Sequence, residues 1–351
     1  MRQISRSRVR LPAAVMPRTI GQPARRRNGA RRWIAGPRGG RKARTRMATA
    51  PLLEFVPNFS EGRDRTLVDR LVAAMTVAPG VRCLGAELDA SHHRAVVTLA
   101  GPAPAIADAA VLGAKAAVAA IDLRAHKGEH KRMGAMDVCP FVPLAGATMA
   151  DAVTAAKSVG ARIGQELGLP VFLYAEACAR ESRRVLGNFR NKEFEGLQAL
   201  VGVDPEFAPD FGPARLHPTA GAVAVGARKF LIAYNVNLAT EDVQLAKDIA
   251  KAVREKDGGF KKVQAMGFFL DDKKQAQVSM NLLDFEVTSL RTVFDRVQEL
   301  AAQKGVQVAG SELVGLAPAA AIDAALARHI QLPRFDAREQ VVEAKLAALG
   351  G

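Results

Sequence analysis

The sequence predicts an α+β protein of two α/β subdomains, each in the split βαβ (ferredoxin-like) order, with an interdomain cleft between them. Three observations predict it. Between residues 52 and 174, short apolar runs alternate with longer amphipathic ones. After an irregular stretch at 190–227, the same alternation restarts at 229. A length of 351 residues suits about two domains.

In order along the chain, residues 52–56 read as a buried strand. Pro57-Asn-Phe-Ser-Glu-Gly62 reads as a loop that places Ser60 or Glu61 near the start of a helix running to Met75. Residues 81–87 and 95–100 are predicted strands, joined by the polar turn 88–94. Pro102 opens an Ala-rich helix to about Ile121. A charged loop follows, then strand 138–142. Thr148, with Asp151 three residues on, starts a helix to Leu167 as a weak capping box. Strand 171–174 closes the first half. In the second half the order is strand 229–234, helix 240–254, strands 264–270 and 276–282, helix 287–303, strand 306–309 and two terminal helices. The predicted division is therefore 47–228 and 229–351. The irregular connection before 229 is long enough to be functional or interdomain.

The formal charge of +15 is unevenly placed. Residues 1–46 hold fourteen Arg, one Lys and no acid, which leaves 35 basic and 35 acidic residues in 47–351. The folded part is therefore not basic, and nucleic acid is not a predicted partner. Residues 1–46 are rich in Arg, Pro and Gly, lack an apolar period and are predicted to be a disordered basic extension. Met47, just ahead of the first strand, suggests an over-long start; a targeting segment and a polyanion-binding arm are the other readings. No run of eighteen apolar residues is free of charge, so no membrane span is predicted. Three cysteines without metal spacing (Cys83, Cys139, Cys178) suit a reducing, cytoplasmic setting.

The chemistry concentrates in residues 126–141, which hold two histidines, two carboxylates, three cations and two glycines. Gly128 and Gly134 disfavour a helix there. His130, near Glu129 and Asp137, is a candidate general acid and base; a bland surface loop is the competing reading. His126-x-x-Glu129-His130 also spells the inverted zinc-peptidase signature, but that motif needs a helix, so no metal is predicted. Asp89 and Arg94 flank the turn holding His92 and His93, suited to a cation and a carboxylate respectively, or to a solvated hairpin. The glycine-bounded run Gly212, Pro213, Ala214, Arg215, Leu216, His217, Pro218, Thr219, Ala220 and Gly221 reads either as a wrap for a flat ligand or as a linker. Phosphate-binding glycine loops and the serine nucleophile elbow are absent from the sequence.

Six motifs then resemble one family, in order across the folded part: Val56-Pro-Asn-Phe-Ser-Glu-Gly62, Gly128-Glu-His-x-Arg-Met-Gly-Ala-x-Asp-Val-Cys-Pro-Phe141, Pro170-Val-Phe-Leu-Tyr174, Pro209-Asp-Phe-Gly-Pro213, Gly226-Ala-Arg-Lys-Phe-Leu-Ile-Ala-Tyr-Asn235 and Gln277-Val-Ser-x-Asn-Leu-Leu-Asp-Phe-Glu-Val287. The chain from about residue 52 resembles the formiminotransferase domain of glutamate formimidoyltransferases and of formiminotransferase–cyclodeaminases. The resemblance implies transfer of a formimino group from N-formimino-L-glutamate to tetrahydrofolate, a co-substrate rather than a bound cofactor, in histidine breakdown. It implies a homodimer, folate polyglutamates as partners, and a separate cyclodeaminase downstream. It implies His130 as the catalytic histidine and residues 212–221 as the folate segment. Asp89 or Asp137 would hold the amidinium; Arg94, Arg132, Arg215, Arg228 and Lys229 are candidates for carboxylates. Where the family has Pro after Gly-Glu-His this chain has Lys131, where its turn often reads Asp-His-Asn-Arg this chain has Ser91-His92-His93-Arg94, and the interior of the folate segment is atypical. A non-catalytic folate-binding relative is the first alternative, and a zinc metallopeptidase the second.

Overall fold

The computed structural model describes residues 51–144, 146–271 and 273–350. The predicted basic extension at 1–46 lies outside them. Two separate sheets, each flanked by helices, carry the chain, an α+β arrangement.

The first sheet has seven strands. β1 (Leu52–Phe55) and β2 (Asn58–Phe59) are one strand interrupted at Val56-Pro57, and both lie between β4 (Arg94–Pro102) and β5 (Met136–Pro143). β3 (Arg82–Asp89) pairs with β4 at one edge. On the other side, β7 (Val223–Ala227) and β6 (Val171–Ala175) extend the sheet with parallel pairings. Pro140 has no N–H to give, and it sits opposite the break between β1 and β2, where Phe55 faces Phe141 and Asn58 faces Val138.

One face of this sheet carries α1 (Arg65–Thr76), α2 (Ala103–Ala120) and α3 (Met149–Leu167). Asp64, not Ser60 or Glu61, caps α1, accepting from the Leu67 N–H; Glu61 instead accepts from the Arg63 and Asp64 N–H groups. The capping box at Thr148 and Asp151 is present. By length and composition α2 is apolar enough to cross a membrane, although Asp108 and Lys115 interrupt it. In this fold it is a core helix: Ile106, Ala109, Ala110 and Ala114 are sealed, and Gly113 lets Met75 of α1 pack against its backbone.

The opposite face is covered in two parts. Short helices α4 (Gly187–Arg190) and α5 (Glu193–Leu200) cover β5, β7 and β6, burying Phe172, Phe189, Leu197 and Ala224 together. Sequence pattern reads this region as irregular and misses β7 altogether. Its run Val-Ala-Val-Gly-Ala is buried on both faces, so it shows no alternation, and Ala and Gly give little strand propensity.

The second sheet runs β11 (Val308–Val314), β8 (Ile232–Leu238), β10 (Gln275–Leu282) and β9 (Val263–Leu270), all antiparallel. α6 (Val243–Val253) and α7 (Leu290–Ala302) pack on one of its faces with Tyr234, Val236 and Val278. Three short C-terminal helices follow rather than two: α8 (Ala324–His329), α9 (Ala337–Gln340) and α10 (Val342–Ala348). Leu84, Ala100 and Val142 of the first sheet join the same apolar core as α10, so the two halves share buried surface.

The junction that shapes the charged loop is a backbone exchange between residues 133–135 and 219–222. Ala135 donates to Ala220 (3.0 Å) and Ala222 to Met133 (3.0 Å), and a Cβ on Gly134 would overlap the Ala222 carbonyl. Gly134→Ala is expected to destabilise the chain by about 1–3 kcal/mol, the range for overpacking a sealed contact, read as a lower denaturant midpoint.

Candidate active site

Residues 121–135 leave α2 and return to β5 without forming a helix. Several separate ties hold this loop. Leu123 donates to Thr219 (2.8 Å), and the Ser60 hydroxyl donates to the Gly134 carbonyl (2.8 Å). Arg63 donates to the Lys127 carbonyl (3.1 Å), and the Glu129 N–H donates to Ser91 (3.2 Å). Gly128 lies so close to the His92 carbonyl that any Cβ would collide with it. The loop is thus pressed against the turn between β3 and β4, which brings His92, His93 and Arg94 to His126 and His130.

His130 sits half-buried in a small cavity lined by Ser60, His92, Arg94, Lys131, Arg132 and Asp137, among others. Every lining residue belongs to the first half. The cavity around His130 is therefore not formed across a cleft between the halves, as the sequence reading expects. The hydrogen bonds fix the tautomer. Arg94 Nη1, which always carries protons, lies 2.6 Å from Nε2, so Nε2 must accept. Nδ1 lies 2.7 Å from the Lys131 carbonyl, which can only accept, and 3.1 Å from Arg190 Nη2, whose protons go to Asp137 and to the same carbonyl; the shorter tie to the carbonyl puts the proton on Nδ1. His92 packs edge-on against the ring, with centroids 5.8 Å apart.

Burial, and then the Arg94 charge, push His130 down to about 4, with Arg190 adding to the effect. A base poised near neutrality is thus not what the resting site holds. It holds a neutral imidazole surrounded by Arg94, Arg190 and Lys131.

Asp137, 1% exposed, is fully engaged. One oxygen accepts from the Met133 N–H (2.7 Å), and the other from Arg190 Nε (2.8 Å) and Nη2. Arg190 also donates to the Lys131 carbonyl (2.7 Å). Asp137 is thereby a scaffold for Arg190 and the loop, not a free carboxylate for an amidinium. Arg190 sits 60 positions from His130, in α4, and sequence spacing offers no signal for it. Asp89 accepts from the His92 N–H (2.8 Å) and from His92 Nδ1 (2.6 Å), hydrogen bonds that hold its carboxyl below the usual range. It reaches the site through His92.

The predicted carboxylate binders separate into groups. Arg94 stands on His130, and among the described residues no carboxylate pairs with it in a salt bridge. Arg132 makes a two-pronged bond with Glu195 (2.7 and 2.6 Å) and donates to His126 Nδ1 (3.2 Å), so it works as a strut. Arg228 and Lys229 lie toward the far end of β5 from Asp137, because Ala227 pairs with Phe141. Arg228 stands by Glu54, a carboxyl that burial pushes up to about 7; Lys229 pairs with Asp284 (2.9 Å) and Glu286 (2.6 Å). The structure does not bring these two to His130.

In the glycine-bounded segment, Thr219, Ala220 and Gly221 meet the His130 loop through the backbone. Gly212 needs its positive φ of 82° and a bare Cα against the Leu169 carbonyl. His217 Nδ1 accepts from the Ala220 N–H (3.0 Å), so that nitrogen holds its own turn. Pro213, Ala214, Leu216 and Pro218 shape the course between; Arg215 is exposed.

The zinc signature lacks its helix. His126 stacks flat on His93 (4.2 Å), donates from Nε2 to the His93 carbonyl (2.8 Å) and accepts from Arg132 at Nδ1, while Glu129 is exposed. Among the described residues no group of three acidic, histidine or cysteine side chains is arranged to hold a metal.

Comparison of the sequence with known proteins gives matches to one family. The formiminotransferase domain, N-terminal subdomain, matches residues 52–228, and the formiminotransferase domain matches residues 233–348. A glutamate formimidoyltransferase of Streptococcus pyogenes is 44% identical over 294 residues, covering 84% of this chain and 98% of that protein. One from Thermoplasma acidophilum is 46% identical over 286 residues, covering 81% and 94%. The formimidoyltransferase-cyclodeaminase of Sus scrofa is 45% identical over 276 residues, covering 77% of this chain but 51% of its own length.

Two outcomes follow from the site. Asp137→Asn removes the carboxylate partner of a largely buried guanidinium and is expected to cost about 3 kcal/mol of unfolding free energy. Because folding lowers the proton affinity of His130, stability is full above the ordinary histidine range near ~6.5 and falls as pH drops toward about 4. His130→Gln should flatten that fall, measured by denaturant unfolding across the acid range; an equally steep fall would contradict the assignment.

Proposed function

The chain belongs to the formiminotransferase domain family, and from that premise we infer that it moves a formimino group from N-formimino-L-glutamate to N5 of tetrahydrofolate. The products are 5-formiminotetrahydrofolate and glutamate. The chain is an enzyme, a one-carbon group transferase.

The single observation that carries the mechanism is the state of His130: a neutral imidazole whose Nδ1–H is held by the Lys131 carbonyl and whose Nε2 lone pair points at a cation. N5 of the folate adds to the amidine carbon and forms the tetrahedral intermediate. The N5 proton passes to His130 Nε2. The same proton then goes to the departing glutamate nitrogen as the carbon–nitrogen bond breaks, and the imidazole returns to neutral. One histidine serves both steps because the lone pair and the acidic proton occupy the same atom in turn. The Nδ1 bond to Lys131 stays in place throughout and orients the ring.

The surrounding charge favours this substrate class. Arg94 stands at Nε2 of the imidazole and Arg190 at Nδ1, Lys131 lines the same cavity, and Asp137 is paired with Arg190. Formiminoglutamate brings two carboxylates, and guanidinium is suited to them. Lysine after Gly-Glu-His removes no chemistry from the step, because Lys131 contributes its backbone carbonyl.

Residues 219–221, tied to the His130 loop, support the reading of 212–221 as the folate segment. The strand orders, with β1 between β4 and β5 and β8 between β11 and β10, support the split βαβ reading of both halves, divided near 228. A homodimer and a cytoplasmic setting belong to the same proposal. The fused Sus scrofa relative makes a cyclodeaminase the natural consumer of the product.

Tetrahydrofolate and formiminoglutamate, incubated with the chain, are expected to release glutamate. His130→Ala should lower kcat by about 10²–10⁴-fold with folding intact, the usual share of general acid–base catalysis. A variant within about threefold of wild type rejects the role of His130. Folate binding without glutamate release favours the non-catalytic relative.

A further inference from the structure

The resting site contains an obstacle to the reaction just described, on which this inference rests. The base nitrogen is already occupied. Arg94 Nη1 lies 2.6 Å from His130 Nε2, and a guanidinium does not give up its proton near neutral pH. With Arg94 in place, Nε2 cannot accept a proton from N5.

Arg94 is also the odd one among the arginines around this site. Arg132 holds Glu195 and Arg190 holds Asp137. Arg94, half-buried at the start of β4, has a neutral imidazole instead, and no carboxylate pairs with it among the described residues. Asp89 and Asp137 are near enough to act on it through space, but each is committed: Asp89 to His92, Asp137 to Arg190 and the Met133 N–H. A guanidinium prefers a carboxylate to an imidazole, since two charge-assisted bonds replace one bond to a neutral acceptor. The first free carboxylate to enter this cavity therefore competes for Arg94 with His130, and both substrates bring one.

We propose that Arg94 is a latch operated by the acidic substrate: at rest its guanidinium caps His130 Nε2, and the carboxylate of formiminoglutamate draws it away, releasing the base only when the donor is seated. Arg94 is in this sense a positioning residue for His130 as well as a substrate ligand. Release also removes the nearest cation from the imidazole, moving its basicity back toward the range where it can take a proton. His92, edge-on to His130 and held by Asp89, keeps the ring in place while Arg94 moves; Arg190 keeps the Asp137 carboxylate and the Lys131 carbonyl throughout.

The test follows the two imidazole nitrogens of His130 by NMR in the full chain, with glutamate, the dicarboxylate product, as the probe. Saturating glutamate is expected to move Nε2 downfield toward a free pyridine-type nitrogen and to raise the His130 titration midpoint by about one unit or more. Nδ1 should not move, since its bond to Lys131 persists. Arg94→Met should place Nε2 downfield without glutamate and make it insensitive to the ligand. A wild-type Nε2 resonance that stays put while glutamate shifts other site resonances overturns the latch, and that experiment stands whether or not the variant folds. The outcome is separable from the role of the base itself: a latch without His130 catalysis gives the glutamate-linked shift while His130→Ala keeps its rate, and the reverse pattern leaves the base and removes the latch.

Discussion

A neutral imidazole held between a backbone carbonyl and a guanidinium is the constraint from which the rest of the site follows. The Lys131 carbonyl can only accept and Arg94 can only donate, so His130 has one allowed tautomer, with its lone pair on Nε2. Burial and neighbouring positive charge oppose protonation, and the ring is a base in form but a weak one at rest. Much of the nearby structure maintains that state. Arg190 bridges Asp137 and the Lys131 carbonyl, and so fixes the acceptor that fixes the ring.

The fold explains how such a loop survives. Residues 126–135, rich in charge and glycine, form no helix or extended strand, and they are ordered by hydrogen bonds from three directions. Ser60 comes from the interrupted central strand, residues 219–222 from the approach to β7, and residues 91–93 from the turn of the edge hairpin. The glycines at 128 and 134 are needed where backbones from those segments come too close for a Cβ. The break between β1 and β2 and the extra parallel strands β7 and β6 are thus what bring distant chain segments to one end of β5.

Much of this was readable in the residues, and the failures have physical causes. Strands and helices with a clear period, such as 65–76 and 149–167, came out within a few residues, and the Thr148–Asp151 box was identified from spacing alone. β7 was invisible because a strand buried on both faces has no alternation. At the site, His130, Arg94 and the 219–221 backbone come from segments that local motifs single out, and the fold brings them together. The pairing of Arg132, Asp137 and Lys229 is not legible in the sequence, because charge type is visible there while charge pairing is not: Glu195, Arg190 and Asp284 supply their partners from far along the chain. Arg190, in Gly187-Asn-Phe-Arg, belongs to no motif that spacing rules recognise.

The most direct measurement is the long-range nitrogen–proton correlation spectrum of His130 in the resting chain near neutral pH. The account predicts one protonated nitrogen, Nδ1, and one unprotonated nitrogen, Nε2. The opposite tautomer, or a ring protonated on both nitrogens, would contradict it, because Nε2 would then carry a proton where the reaction requires a lone pair.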